Sequence, residues 1–395
     1  MTPNARARVS PSAEIQRRTF LGGVASLLVT ASVAAEPHRG ERPLRIGYLS
    51  PTVSTPLEAG WLQEWRIALS RRGYPEHVVT LEERYAGDRL ERLPTLATEL
   101  VRVRADLLLT FATQATLAAK AATAAIPIVM IGVGDPIGVG IVRSLNRPES
   151  NITGLALSNV DTAGKRLEFL KQAVPGLSRV AVLTNPRNEA LTNLHMAQTQ
   201  QVAERLGIAL DRQAVTGPEH LAATFAAVVR QGVNGVLVLP DPVFIAHRER
   251  IAQLALNYRL PAAAPEGPFV EAGCLLAYGP DVAEIYRQAA RFVDRILRGA
   301  KPADLPVEQP TEFELVINLK TAKALRLRIP GAPPAGAPRD RVVRFEGLVR
   351  HFFGKEQPMT LEKVLHTAKA HTTATHKVFP GQAKTVTFTV PALAK

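Results

Sequence analysis

Short apolar runs alternate with stretches of helical periodicity along most of this chain. The runs are "LRIGYLS" from Leu44, "ADLLLTF" from Ala105, "IPIVMIG" from Ile126, "RVAVLTN" from Arg179, "NGVLVLP" from Asn234 and "LPAAAP" from Leu260. Each is nearly continuous in apolar residues, the pattern of strands buried on both faces of a parallel sheet. Helical patterns lie between them, over 88–104, 114–125, 161–174, 189–206, 218–231 and 243–258, and "CLLAYGP" is followed by a helix over 282–297. Strands and helices in alternation predict an α/β protein.

The first helix has a readable start. Thr55-Pro56-Leu57-Glu58 has the spacing of a capping box with proline at the first helical position, and Gly73 stops the run. Leu57, Trp61 and Trp65 share a face, so both tryptophans are expected in a core, with the rim of a cleft as the alternative.

The alternation divides into two similar halves, over 44–132 and 179–265, with "NRPESNITGLALSN" between them as a crossover. "FELVINLKTAKALRL" adds one more strand and helix, expected to return to the first half after the helix over 282–297. The organisation predicted is an export signal over 1–35, a first lobe over 44–157 with about 282–327, a second lobe over 158–281, and a basic extension over 330–395. Two Rossmann-like lobes of this kind, with parallel sheets, would place the loops after each strand in a shared cleft.

Length and composition agree with two sizeable cores: 395 residues, 46% hydrophobic. The net charge of +13 changes the picture only through its distribution. About +3 lies in the first 35 residues and about +6 beyond Pro338, leaving about +4 for the middle. Nucleic acid is therefore not expected as a partner. The N-terminal share belongs to "QRRTFLGGVASLLVTASVAA", where Arg17 and Arg18 precede a short apolar run and small residues. This is the order of an export signal of twin-arginine type, with a general secretory signal as the alternative and cleavage expected near Ala34 or Ala35. The run is too short for a stable membrane span, so the mature chain is expected in the periplasm.

Candidate chemistry is sparse. In "IVMIGVGDPIGVGIV", from Ile128, the glycines miss the dinucleotide fingerprint by one position, and no G-x-x-x-x-G-K-[ST] sequence is present. There is no G-x-S-x-G or H-E-x-x-H motif. Cys274 is the single cysteine, so no intrachain disulfide can form, and a buried structural thiol is expected. His351, His366, His371 and His376 lack tight ligand spacing, and the other five histidines are scattered. No cofactor, metal or catalytic residue is expected. What remains is polar residues following strands: Ser50, Thr110, Thr113, Asp135, Asn185, Asp241 and Tyr278. The helix start after Thr110 could hold a carboxylate and Asp135 or Asp241 an ammonium, with turn chemistry or N-capping as the alternative for each.

"GYLSP", "YAGDRLERLPTLATELVRVRADLLLT", "AAKAATAAIPIVMIGVGDPIGVGIVRSLNRPESNITGL", "LPDP" and "LLAYG" resemble the ABC-transporter substrate-binding proteins related to tryptophan- and tyrosine-binding proteins. The resemblance runs from about Leu44 to about Leu327. It implies a type I periplasmic binding fold (periplasmic binding protein-like I), with two α/β lobes, three crossovers and hinge closure around a small molecule. It also implies delivery to an ABC permease with its ATPase subunits, and no enzyme activity. An amino acid, aromatic in the first instance, is the expected ligand. The same resemblance makes Ser50, Thr110 to Thr113, Asp135, Asn185, Asp241 and Tyr278 the ligand-facing set. Phe111 stands where many relatives carry glycine or alanine, and relatives end soon after the last helix, without the basic extension. A periplasmic sensor for a signalling partner and an α/β enzyme using the same cleft are the alternatives.

Overall fold

The computed structural model describes residues 42–157, 160–329, 342–346 and 385–389. The predicted signal over 1–35 and most of the extension lie outside the described residues. The chain opens with β1 (Leu44–Ser50), α1 (Pro56–Ser70), β2 (Val79–Tyr85), α2 (Leu93–Arg102), β3 (Leu107–Phe111), α3 (Ala112–Ala122), β4 (Ile128–Val133) and β5 (Ile152–Ala156). These strands form a parallel sheet in the order β2-β1-β3-β4-β5. β3 shows why its strands read as continuous apolar runs. Leu107, Leu109 and Phe111 enter one core and Leu108 the core on the opposite face, so neither face meets water.

The second sheet is built from β6 to β13. α4 (Val160–Ala173) leads to β6 (Arg179–Thr184), α5 (Glu189–Leu206), β7 (Ala209–Ala214), α6 (Leu221–Arg230) and β8 (Gly235–Val238). α7 (Pro242–Ala246), α8 (Arg248–Asn257), β9 (Ala262–Ala264), α9 (Gly267–Glu271) and β10 (Leu276–Gly279) follow. The chain ends with α10 (Val282–Leu297), β11 (Glu314–Asn318), α11 (Leu319–Ala324), β12 (Val342–Glu346) and β13 (Thr385–Thr389). The strand order is β13-β12-β11-β10-β9-β8-β6-β7, parallel from β10 to β7. Again alternate residues separate: Val180 and Val182 of β6 face α4 and α5, while Ala181 and Leu183 enter the other core.

Four features differ from expectation. The crossover segment "NITGLALSN" contains β5, which completes the first sheet. The stretch over 282–327 divides: α10 packs on α1, β4 and β5, but β11 pairs antiparallel with β10 in the second sheet. The helical pattern over 243–258 breaks at His247 into α7 and α8. In the extension, β12 pairs antiparallel with β11 and β13 lies parallel to β12, so among the described residues "KTVTFTV" supplies one strand of this sheet and not a hairpin. β2 and β7, "VTLEERY" and "ALDRQA", escaped detection because one side of each strand is unpaired and their charged residues break the apolar run.

The path thus crosses between the sheets three times, after β5, before α10 and before β11. The last return is anchored where Glu308 N–H donates to Gly154 O at 3.0 Å and Ala156 N–H donates to Glu308 O at 2.9 Å. Gly154 fits because its φ is +133° and a Cβ there would lie 2.2 Å from Met130 O. Gly154→Ala is expected to lower unfolding free energy by about 3 kcal/mol or more, or to prevent folding, as checked by urea denaturation.

Candidate functional site

The loops at the carboxyl ends of the parallel strands of both sheets meet in a cleft. From the first sheet come Phe111, Ala112, Thr113 and Gln114 after β3, Gly132 and Gly134 around the end of β4, Leu157 after β5, and Trp61 from α1. The second contributes Asn188, Leu191 and His195 after β6, Asp241 and Ile245 after β8, and Glu266 after β9.

One wall is aromatic. Trp61 and Phe111 line it, and the fully buried Tyr286 packs against both, with ring centroids 5.7 to 6.0 Å apart. A buried polar network backs it. The Tyr48 hydroxyl donates to Glu58 Oε1 at 2.5 Å and lies 2.7 Å from the Tyr286 hydroxyl, and Thr52 donates to Glu58 Oε2 at 2.8 Å. Burial raises the Glu58 carboxyl above its ordinary value, and these hydroxyl donors oppose the rise. The predicted capping box is therefore half formed: the Thr55 hydroxyl accepts from Glu58 N–H at 3.2 Å, but the Glu58 side chain turns inward to this network.

Below the aromatic wall, the first turn of α3 opens on the cleft with no side-chain cap. First-turn N–H groups have no acceptor within their own helix, and the helix dipole makes this end positive. Ala112, the first residue of α3, has φ +67°, a left-handed conformation that costs a non-glycine residue about 1–3 kcal/mol. That strain sits directly in the wall of the cleft.

The opposite wall is acidic. Asp241 caps α7 by accepting from Val243 N–H at 3.0 Å, and it also accepts from Asn185 Nδ2 at 3.0 Å and Asn188 Nδ2 at 3.3 Å. Burial raises its carboxyl, and these donors pull it back. Glu266 is 9% exposed, and its Oε2 has no hydrogen-bond partner. Burial pushes its carboxyl up to about 7; the Arg166 guanidinium opposes this and the Asp241 carboxylate adds to it. Arg166 on α4 is fully buried and donates only through Nη1, to Tyr278 O at 3.2 Å. Burial lowers its guanidinium to about 10, against the pull of Glu266.

Of the residues singled out in the sequence, Phe111, Thr113 and Asp241 line the cleft. The others are placed elsewhere. Ser50 bonds Thr52 at 3.0 Å in the network behind the wall, and Thr110 bonds Thr116 at 2.8 Å inside the first core. Asp135 does not face the cleft: its Oδ1 accepts from Gly138 N–H at 2.9 Å and holds the turn after β4. Asn185 stands behind Asp241. Tyr278 is buried against Phe169 and Phe313, at 5.3 and 6.0 Å between centroids. Cys274 is buried, its thiol pushed up to about 12 by burial. Sequence reasoning missed Gln114, Asn188 and Glu266. A usable signal was present for the last: Glu266 follows a strand and opens a proline-containing helix, as Asp241 does. Among the described residues no group of three or more His, Cys, Asp or Glu side chains could hold a metal ion, and no helix is long and apolar enough to cross a membrane.

The two walls are held together. His247 Nε2 lies 2.8 Å from Asp88 Oδ2, and Arg187 Nη1 donates to Asp88 O at 3.3 Å. Asp88 belongs to the loop after β2, whereas His247 and Arg187 follow β8 and β6.

The comparisons with known proteins fit this architecture. Residues 62–332 match the model for ABC transporter substrate binding proteins. The chain belongs to that family. It is 26% identical over 263 residues to a tyrosine-binding protein of Clostridioides difficile, covering 66% of this chain and 75% of that relative. A structure from Streptococcus pneumonia described as an ABC domain in complex with L-Trp matches with TM-score 0.67 and 25% identity, over 73% of this chain and 96% of that one. An open, ligand-free substrate binding protein from Clostridium difficile shares the fold with TM-score 0.54 and 22% identity, over 74% of this chain and 97% of that one.

Within this family member, Gly134 and the Leu191 side chain meet across the cleft. A Cβ there would lie 2.5 Å from Leu191 Cδ2 across the cleft. Gly134→Val is expected to hold the lobes apart, giving a larger radius of gyration by small-angle scattering with the melting temperature changed by only a few degrees.

Proposed function

We propose that this substrate-binding protein captures an amino acid, aromatic in the first instance, by closing its two lobes, and delivers it to an ABC permease and its ATPase subunits. The observation that carries the reading is the division of the cleft into three chemically distinct parts. The uncapped start of α3 suits a carboxylate, the Asp241 and Glu266 wall suits an ammonium, and the Trp61 and Phe111 wall suits a flat apolar side chain. No lysine or arginine lines the cleft among the described residues, so the α3 start is left as the place for a carboxylate. The tyrosine-binding relative and the structure with L-Trp support the same ligand class.

Closure follows from this division, because carboxylate and ammonium sites lie on different lobes. A zwitterion contacts both only when they meet, so it binds the closed form better and shifts the population toward it. Arg17, Arg18 and the apolar run after them support export to the periplasm before this binding.

L-tryptophan and L-tyrosine are expected to bind the mature protein with micromolar or tighter dissociation constants by calorimetry, while neutral sugars do not. Trp61→Ala is expected to weaken binding at least about tenfold, the loss of one aromatic contact face. Tight binding of a sugar with none of any amino acid would contradict the reading.

A further inference from the structure

Two carboxyl groups stand on the acidic wall, and their hydrogen bonds differ. Both oxygens of Asp241 already accept, from Asn185 and Val243 N–H on one and from Asn188 on the other. Glu266 lines the same cleft with Oε2 unpartnered and only 9% of the residue exposed. Its charged surroundings are Arg166 from α4 and Asp241 from the loop before α7, while His195 of α5 and Gln114 of α3 also line the cleft. Arg166 does not close an ion pair with it: Arg166 Nε and Nη2 have no hydrogen-bond partner, and its one hydrogen bond goes to Tyr278 O. A carboxylate in this position would be a buried charge beside a second anion with an oxygen unmet by any donor. Such a group lowers its free energy by keeping its proton.

We propose that Glu266 is the acid that receives the ligand's cationic nitrogen, and that it is uncharged in the empty cleft, so that seating the cation releases the carboxyl proton to solvent. The proton balance is simple. The neutral acid and an ammonium become a carboxylate–ammonium pair, and one proton leaves to buffer; no other bond changes. The proposal rests on the amino-acid reading above and assigns the ammonium to Glu266 rather than Asp241. The rise of the Glu266 carboxyl to about 7 agrees with it.

The sign of the pH effect follows. Capture uses the ionised carboxylate, so affinity rises as pH climbs through about 7 and is lost below it. Between pH 6 and pH 8 the dissociation constant is expected to fall about tenfold, in proportion to the ionised fraction. Stability of the empty protein moves oppositely. A carboxyl whose value is raised on folding binds more protons in the folded state, so its contribution is present below the ordinary range of a glutamate and is lost as pH rises toward 7.

The test uses the full mature protein, with carbon-13 carboxyl-labelled glutamate followed by NMR without ligand, and calorimetry with L-tryptophan and L-tyrosine in buffers of different ionisation enthalpy. Expected are one carboxyl titrating near neutrality that is missing in Glu266→Gln, and release of close to one proton per ligand at pH 6. The variant should show neither proton release nor the tenfold pH dependence. A wild-type spectrum with no carboxyl titrating near neutrality, or pH-independent binding without proton release, overturns the proposal whatever the variant does. If the neutral titration is present but neither amino acid binds at pH 8, the functional reading falls and the proton coupling with it.

Discussion

The contact of Asp88 with His247 and Arg187 joins loops from two separate sheets, and the cleft is lined from both of them. Neither sheet carries a site by itself. The start of α3, Trp61 and Phe111 stand on the side of the first sheet, and the two carboxyl groups belong to loops of the second. Gly134 and the Leu191 side chain meet across it. Parallel topology explains why the meeting places are carboxyl-terminal loops: each right-handed crossover returns its helix to the sheet face and leaves the turn after the strand free at the edge.

The first side of the cleft is held rigid. Glu58, Tyr48 and Tyr286 tie β1, α1 and α10 together beneath the aromatic wall, and a buried network with every member hydrogen-bonded specifies one arrangement of those elements. Since α10 follows the second crossover, the network fixes the first lobe's side of that crossing. Trp61 and Phe111 are thereby presented as a preformed surface, which keeps the ordering cost of binding low. The acidic wall has a different character. Arg166 and Glu266 retain donors and acceptors without a protein partner at full or nearly full burial.

Much of the fold was legible in the chain. Strands buried on both faces, such as β3, β6 and β8, announce themselves as apolar runs because alternate residues enter two cores. β2 and β7 did not, because edge strands mix charged and apolar positions at nearly the density of a loop. The lobe of β11 was illegible for another reason: antiparallel pairing with β10 is set by the path of residues 309–313, which carry no periodicity. The site was legible as a location more than as a list. "Polar residue after a strand" marks Thr113 and Asp241, which line the cleft, but equally Asp135 and Asn185, whose side chains hold a turn and a neighbour. Direction within a turn depends on φ and ψ over two or three residues, and residue type alone does not encode it. Trp61 was legible only as core or rim; it serves as both, 6% exposed and facing the cleft.

On the proposed function, the cleft closes on a zwitterion with a flat apolar side chain. Native mass spectrometry of the protein purified without added ligand, followed by identification of whatever small molecule denaturation releases, tests this. A single α-amino acid with an aromatic side chain is expected, at close to one per chain. A polyol, sugar or phosphorylated compound retained at that stoichiometry would contradict it.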